Sequence, residues 1–144
     1  MQVLVRLRVI ETHLSLFSGR KVVQIDHLQM GMKLGSRSEI DAIFLALEEM
    51  DSGGLREVIV CCEAKGRRDD LLEDQLLSQI RAVFSMGEVV QEVVIPMGIK
   101  VVGPSEVYVA EFDEVARAAA PAMTSLSVVS EAVYKLVPPV PGIG

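Results

Sequence analysis

The chain has 144 residues and a net charge of −6; half of the residues are apolar and only six are aromatic. That length suits one domain with a real core, and no apolar run approaches membrane-spanning length. The acidic balance argues against a general nucleic-acid coat protein.

Residues 1–17 fit two patterns. Leu4, Leu7, Ile10, Leu14 and Phe17 recur as a helical stripe, while Val3, Val5, Leu7 and Val9 alternate as in a strand. Arg6 and Arg8 interrupt the apolar segment and no small-residue cleavage site follows, so it does not read as a signal peptide. His13 stands alone and reads as a surface or structural histidine. Ser18-Gly19-Arg20-Lys21 is a turn, and Val22 to Leu34 reads as a strand. Asp26 and His27 lie within it without the spacing of a zinc site. Gly35-Ser36-Arg37-Ser38 turns the chain into its central region.

That region holds two short apolar runs, Ile40 to Leu47 and Val58 to Lys65, joined by the turn signal Asp51-Ser52-Gly53-Gly54. They read as neighbouring strands, and the second is rich in β-branched residues. Each carries charge at one end, where a buried strand should carry none. Side chains alternate along a strand, so Glu39 and Asp41 share one face of the first run, and Glu63 and Lys65 share one face of the second. Buried carboxylates are costly unless they are paired or bound to a metal. Carboxylates beside an ammonium form a set that can hold a hard divalent cation and activate water.

Gly66-Arg67-Arg68 follows, and Asp69 is placed to cap a helix whose stripe is Leu72, Leu76, Gln79, Ile80 and Val83, ending near Met86-Gly87. Val89 to Val102 is strand-like but interrupted by Pro96 and Gly98. Val107 to Phe112 alternates as another strand, and Asp113 can cap a short helix through Ala120, stopped by Pro121. Thr124 to Leu136 is rich in Ser and Val. The Pro-rich end, residues 138–144, reads as an arm beyond a single domain of residues 1–137. Cys61 and Cys62 are adjacent in an expected core strand, so they form no disulfide framework and suit a reducing cytoplasm.

An Asp on one strand, a turn, then Glu-x-Lys on the next strand resembles the PD-(D/E)xK nuclease superfamily. Asp41 takes the first acidic position and Glu63-Ala64-Lys65 the Glu-x-Lys position, with twenty-one residues between Asp41 and Glu63. Gln75 is similar to the helical Gln of some branches. The chain departs from the common pattern in having Ile40 where a Pro often stands, and it lacks the Gln-x-x-x-Tyr variant. The resemblance spans roughly residues 22 to 112 and implies an α/β restriction-endonuclease-like fold, a mixed β-sheet flanked by helices. It also favours a helix for residues 1–17, with Glu11 in reach of the site. It further implies a Mg²⁺-dependent endonuclease acting on DNA, or alternatively RNA. Asp41 and Glu63 would be the metal ligands, with the Ala64 carbonyl; Lys65 and Gln75 would be catalytic partners, and Arg67 and Arg68 would contact phosphates. An inactive nucleic-acid-binding or assembly module of the same fold is the alternative. A homodimer, or further domains of a longer chain, are compatible with either.

Overall fold

The computed structural model describes residues 8–34, 38–71, 73–141 and 143, with side chains from 29–34 and 38–40 left aside. Among the described residues it is an α/β fold dominated by one mixed seven-stranded sheet, with one helix against each face. Helix α1 (Val9–Leu16) leads into β1 (Val22–Leu34), β2 (Ser38–Glu49) and β3 (Leu55–Lys65), which run as an antiparallel meander. Helix α2 (Glu73–Ser85) then crosses over to β4 (Val93–Gly103), parallel to β3. Strands β5 (Glu106–Phe112) and β7 (Val128–Lys135) continue the sheet antiparallel, and the two-residue β6 (Val115–Ala116) pairs with the start of β4. Residues 1–7, 35–37 and Leu72 lie outside the described residues, and with them part of the expected first stripe and the expected turn before β2.

The period-2 pattern of the strands divides the core into two layers. Ala42, Phe44, Ala46, Val58, Val60, Cys62, Ile95, Met97 and Ile99 point to one face and meet Val9, Ile10 and Leu14 of α1. Ile43, Ile59, Cys61, Val94 and Ala110 point to the other and meet Leu76, Leu77, Ile80 and Val83 of α2. Burying each of those helix side chains is worth about 1.5–3 kcal/mol, which is what holds an isolated helix to the sheet. A strand buried on both faces reads as a continuous apolar run. This is why residues 58–62 show no alternation in sequence.

Four expectations need correction. Helix α2 begins at Glu73, not near Asp69, because Asp69 is taken up in a turn, its N–H donating to the Gly66 carbonyl at 3.2 Å. Strand β4 runs unbroken through Pro96. Pro96 lies where β4 has just left β6, at Val94, and has not yet met β5, at Met97, so its missing N–H removes no bond on that side. The helix expected from Asp113 does not form. Val115 and Ala116 pair with β4 instead, the Arg117 guanidinium gathers the carbonyls of Phe84, Val89 and Gln91, and only a 3₁₀ turn follows at Ala120–Ala122. The Pro-rich end is no free arm. Leu136, Val140 and Ile143 pack on the α1 side of the core, and Ser105 ties the segment down by donating its N–H to the Ile143 carbonyl (2.9 Å) and accepting the Val140 N–H at Oγ (2.7 Å).

Helix α1 is pinned by a buried polar chain as well as by apolar contact. His13 is wholly buried, with Nε2 at 2.8 Å from Ser130 Oγ and Nδ1 at 2.9 Å from Tyr134 OH. Ser130 donates to Glu111 Oε1 at 2.7 Å, so its oxygen accepts from His13 Nε2–H. Burial favours the neutral imidazole, in which Nδ1 accepts from Tyr134 OH. His13 is therefore structural, as one of its two sequence readings held.

Burial lowers the His13 pKa below 6.5, with the Glu111 charge partly opposing the shift. The unfolded chain then takes up this proton at a higher pH than the folded one. The His13 contribution to stability is complete above about pH 6.5 and falls away as pH drops toward the folded value. Urea melts of the parent and of His13→Gln between about pH 8 and pH 5 test this. The parent should lose stability relative to the variant on acidification, and parallel curves would refute it.

Candidate functional site

Asp41, Glu63 and Lys65 lie on the α2 face of the sheet, where β2 begins and β3 ends. The β2–β3 ladder runs from Glu49↔Leu55 to Ala42↔Cys62. One residue beyond it, the Asp41 carboxylate replaces a strand partner, with Oδ2 accepting the Ala64 N–H at 2.8 Å. Glu63 is 3% exposed, on the same face as Cys61 and Ile59, whose packing against α2 fixes that face. Its Oε1 meets Lys65 Nζ at 2.8 Å, the two side chains lying on one side of β3 because they are two residues apart. Its Oε2 accepts from Gln79 Nε2, and the Cys61 thiol points at Gln79 Oε1 (3.8 Å).

The electrostatics follow from this geometry. Burial pushes the Glu63 pKa up and the Asp41 charge adds to the push, while hydrogen bonds from Lys65 and Gln79 oppose it. Lys65 is held protonated above its usual range, first by its bond to Glu63 and then by the charges of Glu63, Asp41 and Asp69. The Cys61 thiol is driven up to about 12 by burial, with Glu63 and Asp41 adding to the effect. It is therefore inert as a nucleophile at neutral pH.

The helix residue that reaches the site is Gln79, not the expected Gln75. The two are four residues apart on one face of α2, but only Gln79 lies far enough along the helix to be buried over β3; Gln75 stays half-buried one turn earlier. The sequence carried the signal. Gln79 is the one polar member of the stripe Leu76, Ile80 and Val83, where burial demands a partner. Glu11 does not join the set: α1 lies on the opposite face, and Glu11 sits 3.8 Å from Arg8. Arg67 and Arg68 are exposed in the turn after β3.

Two further features were not anticipated. Lys100 pairs with Lys65 across the parallel β3–β4 ladder and reaches Asp70 Oδ1 at 3.2 Å, so a second ammonium borders the site. Gly98 is the β4 partner of Glu63. A Cβ there would stand 2.9 Å from Leu71 Cδ1, so the absent side chain lets Leu71 lie beside the carboxylate.

Among the described residues no cluster of three or more His, Cys, Asp and Glu side chains gathers as a metal site. Two carboxylates are nonetheless the usual protein share for Mg²⁺, which keeps several waters. The donor set of Asp41 and Glu63 fits that ion, provided that Lys65 yields its hold on Glu63. Comparison with protein-family models, with curated proteins and with solved structures gave no match.

The Asp41–Ala64 bond separates structure from charge. Asp41→Ala should cost about 1–3 kcal/mol, because it leaves the Ala64 N–H without its acceptor. Asp41→Asn keeps an oxygen there and removes a charge that disfavours ionised Glu63, so in metal-free buffer it should be as stable as the parent or more so. Chemical denaturation with chelator present decides. Equal large losses in both variants would mean that the Asp41 charge itself holds the fold.

Proposed function

We propose that the chain is a Mg²⁺-dependent phosphodiesterase, an endonuclease acting on DNA, with a restriction-endonuclease-like fold. The observation that carries the reading is the meeting of Asp41, Glu63 and Lys65 at adjacent strand ends, with Gln79 closing over Glu63. The order of helix, three antiparallel strands, crossover helix and parallel strand supports it. The two free, buried thiols suit a reducing cytoplasm, and among the described residues no helix is long and apolar enough to cross a membrane.

Asp41 and Glu63 would hold the ion, which when bound supplies Lewis acidity toward a phosphate oxygen and an attacking water. Lys65 contributes an ammonium. Its raised pKa makes it a poor proton acceptor at neutral pH, so its part is to orient the water and offset the charge that grows on the phosphate. Gln79 fixes the Glu63 carboxylate so that one oxygen faces Lys65 and the strand ends. Exposed Arg67 and Arg68 would contact flanking phosphates, which position a strand without reading its sequence. A module of the same fold without chemistry is the second reading. It is favoured by the acidic net charge and by the engagement of both Glu63 oxygens.

Cleavage of plasmid DNA with Mg²⁺ at low salt, where phosphate contacts are strongest, together with calorimetric titration of Mg²⁺, tests the proposal. Lys65→Ala should lower the rate on the order of a hundredfold or more. It should bind Mg²⁺ at least as tightly as the parent, because the ammonium competes for Glu63. Glu63→Ala should lose both binding and cleavage. If the parent neither cleaves DNA nor binds Mg²⁺, catalysis is refuted; cleavage that survives in Glu63→Ala would place the chemistry elsewhere.

A further inference from the structure

The outer edge of the sheet at β7 carries opposite charges, Glu131 and Lys135, two residues to either side of Val133. Strand β7 is the last in the strand order, and among the described residues no strand pairs with its outer side. Its register against β5 is Glu106↔Lys135, Val107↔Tyr134, Tyr108↔Val133 and Val109↔Ala132. Just beyond, the Leu136 N–H donates to the Ser105 carbonyl at 2.7 Å. Backbone groups alternate in direction along an antiparallel strand. Leu136, Tyr134 and Ala132 therefore turn theirs toward β5, and Glu131, Val133 and Lys135 turn theirs outward.

The side chains of these outward residues share one face, the α2 face, and are exposed there, with Val133 at 61%. The other face carries Ser130, Ala132 and Tyr134. Tyr134 is half-buried on that side, with the half-exposed Phe17 edge-on to it at 5.7 Å. A free edge with an apolar residue on each face, Val133 on one and Tyr134 on the other, can take another strand.

We propose that β7 pairs with β7 of a second copy of this chain, antiparallel about a two-fold axis at Val133, to make a dimer with a continuous sheet. The register is chosen by charge. Outward residues must face outward residues, which restricts the alignments to steps of one residue in the position of the axis. With the axis at Glu131, two carboxylates oppose each other. With the axis at Ala132, Glu131 faces Val133. With the axis at Val133, each Glu131 faces the Lys135 of the other copy, twice, and Val133 meets its own equivalent. Opposite charges directly across an antiparallel pair stabilise it and like charges destabilise it. A two-fold interface uses the same patch on both subunits, which this self-complementary strand satisfies. Edge charges of one sign would block pairing, but Glu131 and Lys135 sit symmetrically and with opposite sign. The inference is independent of the phosphodiesterase reading.

Sedimentation velocity across a concentration series tests it on the full chain, with a dimer at twice the chain mass of 15.7 kDa expected. Lys135→Glu and Glu131→Lys should each weaken dimerisation tenfold or more, by about 1.4 kcal/mol or more, and the double exchange should restore it. Tyr108→Phe removes the 2.6 Å bond from Tyr108 to Glu131 while keeping both charges, so it should stay dimeric. Val133→Cys should cross-link to its own equivalent under oxidation, since paired Cα atoms about 5.5 Å apart suit a disulfide and native Cys61 and Cys62 are buried. A monomeric parent at the highest soluble concentration overturns the proposal. So does a dimer that is indifferent to Lys135→Glu, or a double exchange that fails to restore pairing.

Discussion

Glu63 is a carboxylate almost wholly removed from water at the end of a core strand, and much of the local structure answers to that. The cost of burying such a charge is several kcal/mol unless partners meet it. Lys65 supplies a counter-charge from the same strand, and Gln79 supplies a donor from the crossover helix. Each demand constrains the fold. Helix α2 must dock so that Gln79 lies over β3, and β3 must hold its register against β2 and β4. A slip of one residue would turn Glu63 and Lys65 into the apolar layer under α1. Asp41 reinforces that register by taking the Ala64 N–H where the β2 backbone no longer does.

The opposite layer has its own buried acid, and the contrast helps to separate structural from functional charge. Glu111 is 1% exposed and is fully met by Ser130, Ser18 and Arg20. Arg20 also reaches Glu48 and Glu114, and Arg56 ties the same two carboxylates together. Three carboxylates and two guanidinium groups are thus locked into a network joining the turn after α1 to β2, β3 and the β5–β6 connection. Such networks perturb ionisation without any catalytic purpose. The Glu63 group differs in its surroundings: Asp41 is anchored at the neighbouring Ala64 N–H, and nearby stand Lys65, Lys100 and the exposed turn of Arg67 and Arg68. Charge is concentrated there next to solvent, where a polyanion could reach it.

Several elements were legible because their signals are local. The hairpin of β2 and β3 followed from two apolar runs and a Gly-Gly turn, and α2 from its 3.6-residue stripe. The pairing of Glu63 with Lys65 on one face of β3 followed from alternation alone, whereas the β2–β3 register brought Asp41 to the same side. Strand β7 was missed because Val128–Lys135 is an edge, exposed on one side and only half-buried on the other, so neither face is dry enough to mark it in the sequence. The helix expected after Asp113 was lost to β-pairing with β4, a partner some twenty residues away in sequence. The Pro-rich end looked unstructured because proline excludes regular pairing, yet Leu136, Val140 and Ile143 pack one side chain at a time.

The sequence by itself determined the alternation that sorts side chains into two layers, the acidic and ammonium groups at two strand ends, and the amphipathic helix between β3 and β4. These are properties of spacing, and spacing is written in the chain. Tertiary structure decided which members of those sets meet. It chose Gln79 over Gln75, kept Glu11 on the far face, set Lys100 beside Lys65 and drew His13 into the core. Those choices depend on where a helix comes to rest on a sheet and how far along it each residue lies. That is fixed by packing among residues distant in sequence, which periodicity along one element cannot express.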